Sequence, residues 1–159
     1  MRICLGIDPG LARVGYGAVM KLGLGFYPLS YGCISTTPAM TFTERLLKIY
    51  TDLQEKITVI SPDFLSVERL FFGKNATTAE YVYQARGVIM LLVAQNHLPV
   101  VELTPNNIKR NLTGSGKSNK REIQMAIRDI LSLEEIPRPD DTADALAAAL
   151  AGLSLCEGG

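Results

Sequence analysis

The chain is short of the residues that mark several specialised classes of protein. It has one histidine, His97, and three cysteines, Cys4, Cys33 and Cys156, which are odd in number and far apart. Without thiols or imidazoles at metal-ligand spacing there is neither a disulfide scaffold nor a structural zinc site, and a reduced, cytoplasmic chain is expected. No apolar run approaches the roughly 20 residues of a membrane span, so no membrane partner is expected. The N-terminus enters a strand pattern at once, with no basic segment and cleavage site ahead of it, which speaks against a secretory signal. Neither sign of charge is in excess: 16 basic residues balance 16 acidic ones. Composition therefore gives no hint of a nucleic-acid partner. The distribution does, because Lys109, Arg110, Lys117, Lys120 and Arg121 follow one another with no acid between them. Cancelling totals can hide a basic groove beside an acidic pocket, although a solvated lysine-rich loop reads the same way.

What the chain has in quantity is apolar: 47% of 159 residues, enough for one domain with a real core. Residues 1–155 read as that domain and 156–159 as a short tail. The first strand sets the frame. Ile3, Leu5 and Ile7 alternate with Cys4 and Gly6, Asp8 falls on the small-residue side, and Pro9-Gly10 stops the strand. Strands at 14–20 and 29–36 follow through short connections, an antiparallel meander. Thr41 and Glu44 form a capping box for a helix whose apolar stripe runs Phe42, Leu46, Ile49, Leu53, Ile57, Ile60. A strand at 64–68 ends in Glu68. A long helix follows from an Asn75 cap to Gln95, with His97 beyond it as a cap or dipole partner. A strand at 99–103 leads to a short helix opened by Thr104-Pro105. Asn119 with Glu122 opens another, with a stripe of Ile123, Ala126, Ile127 and Ile130. After Pro137-Arg138-Pro139 a last helix spans 140–155. The layout is α/β: a five-stranded mixed sheet flanked by helices, without internal repeats.

Chemistry is concentrated in carboxylates. Asp8 and Glu68 end core strands, where an unpaired charge is costly. Asp141 and Asp144 stand three apart at the start of a helix that is otherwise Ala and Leu, so they share a face. Turn capping by Asp8 and dipole stabilisation by first-turn acids are the ordinary roles for such residues. If the four converge, each like-charged pair at ~4 Å costs about 4 kcal/mol at an effective dielectric of 20. Divalent cations relieve that cost, and all-oxygen ligands select Mg²⁺ or Mn²⁺ over Zn²⁺. Two such ions ~3.5–4 Å apart are the arrangement that hydrolyses phosphodiesters in line.

Four segments in order, Gly6-Ile7-Asp8-Pro9-Gly10, Val67-Glu68-Arg69-Leu70-Phe71-Phe72, Gln84-Ala85-Arg86-Gly87 and Asp141-Thr142-Ala143-Asp144-Ala145-Leu146-Ala147, resemble the RuvC family of bacterial Holliday-junction resolvases. The likeness covers nearly the whole chain. It implies an RNase H-like fold and a homodimer that cuts four-way DNA junctions, with two Mg²⁺ per site (Mn²⁺ substituting), beside the RuvA–RuvB branch-migration complex. Carried over by position, Asp8, Glu68, Asp141 and Asp144 are the metal-binding acids. Lys109 and Lys120 lie near the scissile phosphate, and Phe71, with Phe72 beside it, meets junction bases. Asp140 is an extra acid; Asp141 is preferred because its spacing to Asp144 is the one a shared face needs. Lys120 would neutralise charge on the phosphoryl oxygens, while Lys109, Arg110, Lys117 and Arg121 hold the backbone. Two opposed nicks need two sites about a twofold axis. The helix from Asn75 is the expected interface, with Ala85 and Gly87 permitting close approach.

Rival readings are weaker. Gly114-Ser115-Gly116-Lys117-Ser118 suggests a P-loop, but Asn111 stands where the first glycine belongs and a helix precedes it. An actin-like ATPase needs two large lobes. A ribonuclease acting on RNA–DNA hybrid, or a junction-binding module without catalysis, are the alternatives an assay must separate.

Overall fold

A computed structural model describes residues 1–69 and 76–156. The expected Asn75 cap and both phenylalanines, Phe71 and Phe72, lie outside the described residues.

Three strands in sequence, β1 (Arg2–Asp8), β2 (Arg13–Leu22) and β3 (Gly25–Ser35), form the antiparallel meander, and β4 (Phe64–Glu68) and β5 (Val100–Leu103) join parallel to it. The sheet order is β3-β2-β1-β4-β5, which places β1 and β4 side by side at the centre. Alternation sorts the side chains of both. Leu5, Ile7, Leu65 and Val67 enter a core closed by α1 (Phe42–Ile60) and α2 (Ala76–Gln95). Cys4 and Phe64 enter the opposite core, closed by α3 (Pro105–Thr113), α4 (Lys120–Ile130) and α5 (Asp140–Leu155). The capping boxes at Thr41/Glu44 and Asn119/Glu122 are both formed. His97 adopts φ 53° just past α2, its amide donating to the Ala94 carbonyl at 3.2 Å, an ordinary helix-end geometry.

The fold's decisive contact is between α5 and the sheet. A Cβ at Gly6 would lie 2.0 Å from the Ala145 carbonyl oxygen, so helix and strand meet backbone to backbone. An Ala-rich helix and a Gly-containing strand permit that approach, and it fixes where α5 begins relative to the end of β1.

Three expectations need correction. The third strand starts at Gly25, not 29: the ladder shifts register between Ala18 and Val19 beside Leu29, and that bulge hides the alternation. Ala126 and Ile130 are both only half-buried, Ile130 still packing against the core, and Leu131, one residue past α4, completes the buried stripe. Ala85 is fully buried against its own sheet and cannot meet a second copy; the outward face of α2 carries Gly87 and Leu91.

Candidate active site

Parallel pairing aligns Ile7 with Val67, so the next residues, Asp8 and Glu68, leave the sheet together on the α5 side. The β4–β5 ladder runs one step further, with the Arg69 amide donating to the Leu103 carbonyl at 2.6 Å. Arg86 of α2 secures the same point. Its Nη1 donates to the Glu68 carbonyl at 3.2 Å and its Nη2 to Glu102 Oε2 at 2.8 Å. From the other direction α5 brings its first turn over this strand end, with Pro139 at the N-cap supplying no side-chain cap. The three aspartates then diverge. Asp140 points outward to Lys120 Nζ at 2.9 Å, and Asp144 approaches the same amine at 3.9 Å. Asp141 turns over β2, where Arg13 Nε stands 3.2 Å from its Oδ2.

The electrostatics show that four carboxyls share one environment. Burial, followed by the charges of Asp144, Asp141 and Glu68 and a hydrogen bond with Asp141, pushes the Asp8 carboxyl up to about 8. Burial first, then Asp144, raises Glu68, with Lys109 opposing. Burial also raises Asp144 against the pull of Lys120, with Asp140 and Asp141 adding to the rise. Asp140 behaves differently: exposed and bonded to Lys120, its carboxyl is held below the usual range. Asp141 therefore acts on Asp8, whereas Asp140 is held by Lys120 and reaches the cluster only through Asp144.

Among the described residues no three His, Cys, Asp or Glu side chains stand at the spacing that would close around one ion. The carboxyls face one another at charge-interaction range. A donor set made of carboxylate oxygens alone, with Asp8 pushed to about 8 by burial and then by the neighbouring carboxylates, fits a hard divalent cation, which would replace that proton.

Beside the acids lies a cleft of about 270 Å³ lined by Glu68, Lys109, Lys120 and Asp144 with Ile108 and Ile123 as its floor. Two of the expected basic residues therefore face the site. Arg110, Lys117 and Arg121 are exposed and stand outside that lining. The sequence reading missed Arg13, and it named Arg86 only inside the Gln84-Ala85-Arg86-Gly87 segment without giving it a role. Arg13 was within reach of it: two residues before Gly15, it shares the β2 face opposite Asp8. Arg86 meets Glu68 only through tertiary folding, which no local pattern reports.

A family model described as "Crossover junction endodeoxyribonuclease RuvC" matches residues 4–152. The crossover junction endodeoxyribonuclease RuvC of Desulforamulus reducens is 47% identical over 148 residues, covering 93% of this chain and 91% of that protein. The structure of Thermus thermophilus RuvC in complex with a Holliday junction substrate is similar throughout. It has a TM-score of 0.95 at 32% identity, covering 100% of this chain and 97% of that one. The fowlpox virus resolvase with Holliday junction DNA has a TM-score of 0.57 at 15% identity, a likeness of fold alone that covers 98% of this chain and 99% of that one.

Proposed function

The chain belongs to the RuvC family of crossover junction endodeoxyribonucleases, and from that premise we propose that it resolves four-way DNA junctions by paired, symmetric nicks in recombination and repair. The observation that carries the reading is the convergence of Asp8, Glu68, Asp141 and Asp144 on one strand end, with Asp8 pushed to about 8, beside a cleft that holds Lys109 and Lys120. These four acids would hold Mg²⁺, two ions per site with Mn²⁺ able to replace it. Bound there, the ions supply an activated water and a Lewis acid for the departing 3′ oxygen, leaving 5′-phosphate ends.

The remaining work falls to the chain's own groups. Lys120 stands beside Asp144 and supplies positive charge where the phosphoryl oxygens become more negative. Lys109 lines the same cleft and positions the backbone, with Arg110, Lys117 and Arg121 farther along the strand. Phe71 and Phe72, three and four residues after Glu68 in sequence, are assigned the junction's bases. A homodimer supplies the second nick through the outward face of α2, where a Cβ at Gly87 would meet nothing within 4 Å and Leu91 is exposed. RuvA–RuvB is the expected partner and the cytoplasm the expected compartment. Among the described residues no helix is long and apolar enough to cross a membrane.

The test offers the protein a synthetic four-way junction, a linear duplex and an RNA–DNA hybrid, each with Mg²⁺ and with chelator. Nicking of the junction alone, dependent on Mg²⁺ and abolished by Asp8→Asn with binding retained, is the expected result. Cutting of the hybrid alone would make the chain a ribonuclease. Binding without cleavage in any metal would make it a junction-binding module.

A further inference from the structure

A second cleft, of about 500 Å³, opens on the far side of the acids, and Arg13, Arg45, Tyr81, Gly10 and Asp141 are among the residues that line it. The two clefts share no residue, but each takes part of the carboxylate cluster as a wall: Glu68 and Asp144 in the lysine cleft, Asp141 in this one. A polymer crossing Asp8 from the lysine cleft would therefore continue into it.

Its two cations are not equivalent. Arg13 is already neutralised by Asp141 at 3.2 Å. Arg45, from α1, has no carboxylate partner among the described residues. Its Nε donates to the hydroxyl of Thr36 at 2.8 Å. That hydroxyl donates to the Leu11 carbonyl at 2.6 Å, and the Thr36 amide donates to the Ala12 carbonyl at 2.9 Å. Thr36 is buried, so one residue pins both the floor of the cleft and the guanidinium above it. The arrangement holds a guanidinium in place by one edge, with its terminal nitrogens left for a ligand, and so lowers the entropy lost on binding an anion. Tyr81 lines the same cleft, 48% exposed, its ring steadied against Phe42 at a centroid distance of 5.7 Å. A fixed guanidinium and an exposed aromatic ring in one cleft are what a single nucleic-acid strand requires: a phosphate contact and a stacking surface.

We infer that this cleft is a second strand-binding subsite, in which Arg45 takes one phosphodiester of the cut DNA strand beyond the scissile bond and Tyr81 packs on its sugar or base. The inference rests on the nuclease reading of the acids, and it assigns to Arg45 and Tyr81 binding, not chemistry.

A purely structural role for Arg45, holding the 9–12 loop through Thr36, is the competing account, and phosphate neutralisation separates the two. A four-way junction is prepared with a single methylphosphonate at each position flanking the cut, and binding is measured in chelator with wild-type protein, Arg45→Gln and Tyr81→Ala. One position is expected at which the neutral linkage weakens wild-type binding roughly tenfold and leaves Arg45→Gln unaffected. The salt slope of Arg45→Gln should fall by about one unit. Tyr81→Ala should weaken binding while Tyr81→Phe restores it. Additive losses at every position, or equal affinity and equal salt slope for Arg45→Gln and wild type, would overturn the subsite. Should Arg45→Gln melt well below wild type, Arg45→Lys decides: it keeps the charge, so the salt slope returns if Arg45 meets a phosphate and stays low if it does not. Wild-type protein that neither binds nor cuts the unmodified junction would instead overturn the nuclease reading itself.

Discussion

A Cβ placed on Gly15 would sit 1.9 Å from the carbonyl oxygen of Asp141, so the start of α5 rests directly on the β2 backbone. The position of an acidic side chain is thereby set by the absence of one across from it. Gly15→Ala must push the first turn of α5 outward, carrying Asp141 and Asp144 away from Asp8. The expected result is a folded protein less stable by about 1–3 kcal/mol, with nicking lost far out of proportion to the drop in melting temperature. Circular dichroism melts alongside junction cleavage check it; unchanged activity would mean that α5 can shift without disturbing the acids.

Asp8 supplies a pH signature. Its folded pKa, pushed up to about 8, stands far above the usual carboxyl range. The folded state therefore binds a proton that the unfolded state has already released. The stability it contributes is full below the unfolded pKa and is lost as pH rises through the folded one. Melting temperature in chelator should fall between about pH 4 and pH 8, and Asp8→Asn, which carries no proton to lose, should flatten that fall. Glu68 and Asp144 are raised in the same direction and leave a residual slope. A divalent ion competes with the same proton, so activation by Mg²⁺ should need less metal as pH rises across the upper part of this range.

Much of this was legible in the sequence because the residues concerned obey local rules. The alternation around Cys4 and Gly6 put Asp8 on the face that α5 covers, and the three-residue spacing tied Asp141 to Asp144. Capping boxes located α1 and α4 because each is written within four consecutive residues. The bulge at Leu29 broke the two-residue period that would have shown β3 at its full length. Ala85 was misplaced because α2 is apolar on more than one face, and composition alone does not say which face the sheet covers. Arg45, and the role of Arg86, escaped notice for a different reason. Each acts through a partner far away in the chain, Thr36 in one case and the Glu68 carbonyl in the other, and α-helical periodicity carries no information on either.

Arg86 and Glu102 form a brace behind Glu68 that a double-mutant cycle can measure. The Arg86 side chain is 14% exposed, and its two donors serve the Glu68 carbonyl and the Glu102 carboxylate. Arg86→Leu leaves both acceptors without that donor and should cost about 1–3 kcal/mol. Cleavage should fall more than junction binding does, since the strand end that aims Glu68 loosens while the lysine cleft persists. Glu102→Leu made together with Arg86→Leu should recover part of the lost stability, because the carboxylate left behind is removed. Strict additivity of the two changes would show that the pair is a surface contact of little consequence.

The two neighbouring acids at the head of α5 should part company on substitution. Asp140 bonds to Lys120 at 2.9 Å from an exposed position, whereas Asp141 bears directly on Asp8. Asp140→Asn keeps the shape of the helix start and removes one of the two carboxylates beside the Lys120 amine, leaving Asp144 at 3.9 Å. Nicking should then stay within a few-fold of wild type, and the Mg²⁺ requirement should not move. Asp141→Asn removes an oxygen donor from the cluster and should lower the cleavage rate at saturating junction by about a hundredfold or more, with affinity for the junction kept. The reverse pattern, with Asp140→Asn inactive and Asp141→Asn active, would move the third metal-binding position one residue toward the N-terminus. It would also make the bond from Lys120 to Asp140 part of the catalytic apparatus, so that the lysine would orient an ion-binding carboxylate in place of meeting the phosphate.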